Sequence, residues 1–219
     1  MKRTLLAVFA LIAALGFTAL GVWQIERRAW KLDLIARVDA GLKAPPAADW
    51  QQYAEYRKVR LRGAYLCDRE ALAKAVTELG EGFWVMTPLR TAEGTVLVNR
   101  GFVPSARQPR WCEPGTQTTV TGLLRASEPK GGFLRSNDPG ANRWFSRDVN
   151  AIAAALGLGP VAPFFIDADA TPNPGGYPLG GHTVVSFRNN HLVYALTWFA
   201  LAALSVAGLV LVLRKPKRA

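Results

Sequence analysis

Two stretches of this chain run without a charge for longer than a soluble core helix ordinarily needs. Leu192 to Leu213 is 22 residues and would extend roughly 33 Å as a helix, enough to cross a bilayer core. Leu5 to Val22 is 18 residues and follows the basic start Met1-Lys2-Arg3. The pattern predicts transmembrane helices at 5–23 and 191–213. A helical period then continues past the first span: Trp23, Arg27, Trp30, Leu34 and Val38 share one face of "WQIERRAWKLDLIARVDAG", with Asp33 and Arg37 spaced i,i+4. Residues 24–41 are therefore expected to extend the helix until Gly41 and "APPAADW" end it.

Beyond that point the period changes to two. In "YRKVRLRGAYL", Val59 and Leu61 alternate with Lys58, Arg60 and Arg62, the pattern of a half-buried strand. "GFWVMTPLRTAEGTVLVNRGFVP" reads as two strands joined by a turn at Ala92 to Gly94 and stopped by Pro104. "TTVTGLLRA" is a further strand, and "GGHTVVSFRNN" is expected to be the last one before the second span. One short helix is expected in "DVNAIAAALG", with Asp148 as its N-cap and Gly157 as its stop. "TPNPGGYPLGG" reads as a tethered loop between two strands. The expected fold is an α+β membrane protein. Two transmembrane helices flank one mainly antiparallel β domain or small open barrel, residues 24–190, with a short helix and terminal tails at 1–4 and 214–219.

Charge orients this frame. The chain carries 27 basic and 16 acidic residues, a net +11, but six of the basic residues and none of the acids lie in the two tails. The positive-inside rule puts both tails, with Lys2, Arg3, Arg214, Lys215, Lys217 and Arg218, in the cytoplasm, and the middle domain in the periplasm. Arg27, Arg28 and Lys31 oppose this locally, but a domain of this length is largely exempt from the rule. A signal peptide fits the basic start too. The 18 apolar residues exceed an ordinary signal core, however, and no A-x-A site precedes the resumed helix, so an uncleaved anchor is expected. Only four residues precede the span, too few for a mitochondrial presequence, which points to a bacterial inner-membrane protein or a mature form. The 21 basic residues outside the tails, against 16 acids, leave a scattered +5 that argues against a nucleic-acid groove. Cys67 and Cys112 are compatible with one disulfide in an oxidising compartment and equally with a buried free pair; their spacing is not that of a metal clip.

Motifs of catalysis are missing from the sequence. The glycines of "TPNPGGYPLGG" precede a strand pattern rather than the helix a phosphate cradle needs. Asp167, His182 and Ser186 would make a hydrolytic set only if folding brought them together. The sharper candidate is His191, one of only two histidines. On a helix it shares a face with Tyr194, Ala195, Trp198, Ala202 and Ser205, where one imidazole would serve as an axial ligand to haem iron. Arg188, one turn earlier, would pair with a propionate. The plainer reading is that these are interfacial anchors, with the small residues packed on Ala10, Ala13, Ala14 and Gly21 of the first span. Spacing alone favours the anchors.

"LGVWQIERRAWK", "GFWVMTPL", "VLVNRGFVP", "NRWFSRDV" and "NNHLVYALTWF" together cover nearly the whole chain. In this order and spacing the sequence resembles the Surfeit-locus (Surf/Shy) family of cytochrome c oxidase assembly proteins. The resemblance implies a membrane-bound assembly factor rather than an enzyme, one that binds haem a transiently and passes it to the oxidase catalytic subunit. Its expected partners are that subunit and the haem a synthesis machinery. The family's haem-linked histidine matches His191, its glycine in the GFW stretch matches Gly82, and its following tyrosine matches Tyr194. The mechanism expected from residues and resemblance together has His191 on the iron, Arg188 on a propionate, and the small face accommodating the macrocycle beside Trp198. The alternative is a scaffold that never ligates haem and presents Trp23, Arg27, Trp30 and the β domain as its interface. A membrane-tethered periplasmic hydrolase, using His182, is the third and weakest reading.

Overall fold

The structure, a computed structural model, describes residues 2–105, 112, 115–132, 135–183, 185 and 187–214. In chain order the elements are α1 (Lys2–Lys43), β1 (Lys58–Tyr65), β2 (Ala71–Thr77), β3 (Gly80–Thr91), β4 (Gly94–Val103), β5 (Gln117–Ala126), a 3-10 turn (Pro139–Ala141), α2 (Val149–Ala155), β6 (Val161–Ala168) and α3 (His191–Leu213). They form two units. One is helical, Met1–Arg37 with Ser186–Ala219, and the other is the β unit, Val38–Val185. Helix α1 passes through the expected extension and ends at Lys43. Both α1 and α3 are long and apolar enough to cross a membrane. The protein is thus α+β, with candidate membrane helices at both ends of a β-rich centre.

In the β unit, the long strand β3 serves two partners along one edge. Its first half, Gly80–Met86, pairs with β2, and its second half, Leu89–Thr91, pairs with β1. Because β1 also pairs with β5, the strands close into a ring, β1-β5-β6-β4-β3 and back to β1, with β2 appended. Only β4–β6 is parallel, so the sheet is mainly antiparallel.

Closure buries both sides of the ring's central strands. Along β4, Val96 and Val98 join a core with Val59, Leu61, Leu89, Val120, Leu124 and Ile166, while Leu97 between them joins Met86, Trp144, Ile152 and Phe165. The second core lies under α2, whose N-cap Asp148 accepts a hydrogen bond from Ala151 N. Alternation thus sorts residues between two apolar cores rather than between core and water.

The sequence pattern misses two strands and misplaces a third. β6, "VAPFFIDA", is buried on both faces, so its apolar run does not alternate. β2, "ALAKAVT", is alanine-rich, and pairing with β3 overrides its helical preference. The strand expected in "GGHTVVSFRNN" does not form among the described residues there. The ring has no vacancy for it, because β6 already lies between β4 and β5. "TPNPGGYPLGG" accordingly follows β6 and leads towards α3 instead of joining two strands. Cys67 and Cys112 are joined in a disulfide.

Candidate functional site

Helices α1 and α3 run antiparallel. At one end Arg3 Nη2 donates to the carbonyls of Val212 and Arg214, 2.9 Å each, meeting acceptors that the end of a helix leaves open. Further along, Phe17 stacks on Trp198 with ring centroids 5.6 Å apart. Gly21 lies against the Phe199 ring, so close that a Cβ would sit 2.6 Å from it. Ala14, Ala195 and Ala202 are buried, and Ala10 and Ala13 are half-buried. This is the small-residue contact that holds helices together where lipid offers no hydrophobic driving force.

At the other end the interface turns polar. His191 Nδ1 lies 2.7 Å from Oε1 of Gln24, a buried residue one turn beyond Gly21. The His191 ring is half-buried. Two residues earlier, Asn189 Oδ1 is buried with no hydrogen-bond partner among the described residues.

Of the residues singled out in the sequence, the structure brings His191, Ala195, Trp198 and Ala202 onto the face that meets α1. That face meets the partner helix, where Trp198, half-buried, is stacked on Phe17. Tyr194 is 55% exposed and Arg188 is exposed. Gly82 belongs to the β unit, where a Cβ would lie 2.3 Å from Val103 O and 2.5 Å from the Phe102 ring, so the strands approach closely there. Gln24 was missed by residue type alone. A signal existed, since 21 positions separate Arg3 from Gln24 and His191 from Val212 alike, so an antiparallel pair tied at Arg3 brings Gln24 opposite His191.

The β unit holds a second polar cluster of a different kind. Asp167, buried at the end of β6, accepts from Asn99 Nδ2 at 2.7 Å, Arg147 Nη1 at 3.0 Å and Arg125 Nη1 at 3.1 Å. Arg147 also binds Glu128, and Arg125 lies 3.6 Å from Glu55. Burial pushes the Glu128 carboxyl up, but hydrogen bonds and charge from Arg147 outweigh it and hold the group below the ordinary carboxylate range. Asp167 is thus engaged with two arginines rather than offered to a histidine. His182 is half-buried, and Ser186 lies outside the described residues.

A closed β unit between two candidate membrane helices, with a lone histidine held where those helices pair, defines a membrane-associated class of chain without a recognised catalytic constellation among the described residues. A model of the SURF1 family matches residues 11–203, which takes in both helices and the β unit, and the chain belongs to that family. It is 36% identical to Surfeit locus protein 1 of Mus musculus, over 88% of this chain and 70% of that protein. It is 38% identical to a SURF1-like protein of Monosiga brevicollis, over 90% and 83%, and 35% identical to Surfeit locus protein 1 of Homo sapiens, over 90% and 73%. Membership implies a role in cytochrome c oxidase assembly.

Proposed function

We propose that the protein captures haem a transiently during oxidase assembly, with His191 as the axial ligand, and hands it towards the catalytic subunit. The observation that carries this reading is a half-buried His191 held through one ring nitrogen at the end of the helix pair, which leaves its other nitrogen for iron. The donor set fits such a group. With Nδ1 of His191 engaged by Gln24, its Nε2 would be the single protein donor that haem iron needs. His191 would hold such a haem through its iron, and the haem would supply the cargo that the assembly step delivers. Arg188 supplies a cation for a propionate, and Leu192, Val193, Tyr194 and Leu196, all exposed, supply an apolar flank.

The protein acts as a chaperone of assembly and not as a catalyst, with the oxidase catalytic subunit and the haem a synthesis machinery as partners. It sits in a bacterial inner membrane, both tails cytoplasmic and the β unit periplasmic. Basic tails and a Cys67–Cys112 disulfide, which belongs in an oxidising compartment, support that orientation. The test is the absorption spectrum of detergent-purified protein from cells making haem a, beside its His191→Ala variant. A haem a band in the parent that is lost in the variant is expected. Two colourless samples, or two equally coloured ones, would overturn the reading in favour of a scaffold. That second reading draws on Trp23 and Trp30, 52% and 47% exposed, with Arg27 3.9 Å over the Trp30 ring.

A further inference from the structure

We infer that Gln24 is the positioning residue that decides which nitrogen of His191 is offered outward: its carbonyl oxygen accepts Nδ1–H and leaves Nε2 as the lone-pair donor. The 2.7 Å contact joins a buried amide to a half-buried ring across the helix pair. A buried amide oxygen without a donor is costly, and a neutral imidazole has one N–H to give. Giving it at Nδ1 fixes the tautomer, because the hydrogen bond made by one nitrogen sets the role of the other. Both side chains are held in place by packing. Gly21, one turn before Gln24, lets α1 approach the Phe199 ring, and Ala195, one turn after His191, is 1% exposed. The same bond would make the imidazole a stronger donor to a bound iron, as outer partners of ligating histidines do. Gln24 does not touch the iron; it acts through His191, and this consequence for binding rests on the haem reading, whereas the tautomer does not.

The experiment is nitrogen-15 NMR of the full chain, labelled at histidine, in detergent micelles. With two histidines in the chain, a His182→Gln variant assigns the spectrum. The parent is expected to show His191 as the neutral Nδ1–H form. Gln24→Leu is expected to return it to the Nε2–H form, and Gln24→Glu, which keeps an acceptor, to restore Nδ1–H. An Nε2–H form in the parent overturns the inference without any variant, so a Gln24→Leu protein that fails to fold does not shelter it. An unchanged spectrum in folded Gln24→Leu overturns it as well. In a second arm, ferric haem is titrated into the same proteins. Gln24→Leu is expected to weaken binding about 10- to 100-fold, with Gln24→Glu recovering it. Nδ1–H His191 in a parent that binds no haem sustains the role of Gln24 and sinks the haem reading. Haem bound by a parent whose free His191 is the Nε2–H form does the reverse, and equal affinity in a Gln24→Leu protein that has lost Nδ1–H overturns the consequence for binding while sustaining the tautomer.

Discussion

Replacing Asp167 by alanine tests whether the buried ion cluster holds the β unit together. Asp167 is 2% exposed and accepts from Asn99, Arg125 and Arg147, so its removal leaves two arginines in the interior without their shared anion. Breaking one side of a buried pair ordinarily costs about 3 to 5 kcal/mol, because the stranded charge is uncompensated. Here Arg147 keeps Glu128 and Arg125 keeps Glu55, which places the expected loss at the lower end, ~3 kcal/mol. For a unit of this size that is a fall of about 6 to 12 °C in unfolding midpoint. The assay is thermal unfolding of the full chain in detergent, followed by the circular dichroism of the β unit. Asp68→Ala serves as comparator, since it removes only an exposed contact with Arg69, 3.8 Å long, and is expected to leave the midpoint in place. A midpoint for Asp167→Ala within about 2 °C of the parent, under 1 kcal/mol, would refute the reasoning.

Three shorter predictions concern the same unit. Glu128 is held below its ordinary value near 4.5, so the unfolded chain takes up that proton first as pH falls. The stabilisation is therefore complete above about pH 4.5 and is lost below it as pH approaches the folded value; melting midpoints should decline less steeply through that range in Glu128→Gln than in the parent. Reducing Cys67–Cys112, which closes a loop of 45 residues, is expected to lower stability by about 4 kcal/mol on chain entropy alone, and a midpoint unmoved by reductant would contradict this. Gly82→Ala drives a methyl into Val103 O and the Phe102 ring, and about 1 to 3 kcal/mol of destabilisation is expected in denaturant unfolding.

The two spans were legible because few structures besides a membrane helix call for an uncharged run of that length. Strands with one face in water were legible too: β1 announces itself by Val59 and Leu61 between basic residues. β6 did not, because Phe164, Phe165 and Ile166 divide between two cores and leave no polar phase. The site was half legible. His191 stood out by rarity, whereas Gln24 is an ordinary polar residue just past an apolar run, and its meaning depends on a helix 167 positions away. Asp167 had looked like a catalytic acid only while its arginines were out of view.

A bond between Gln24 and His191 would also arise if the pair did nothing but join two helices, and the rest of the interface separates these roles. Polar contacts between membrane helices contribute about 0.6 kcal/mol each, seldom above ~1.7. The pair has other holds: Arg3 on the carbonyls of Val212 and Arg214, the Phe17–Trp198 stack, and the contact of Gly21 with Phe199. Losing Gln24 should therefore leave the helices together. Gly21→Leu should not, because its side chain would enter space held by the Phe199 ring. A disulfide-trapping assay between cysteines placed at positions 14 and 202, read beside haem titration, distinguishes them. Gln24→Leu should trap like the parent and bind haem weakly, while Gly21→Leu should lose both. If Gln24→Leu also fails to trap, the bond is helix glue, and the effect of Gln24 on His191 is indirect.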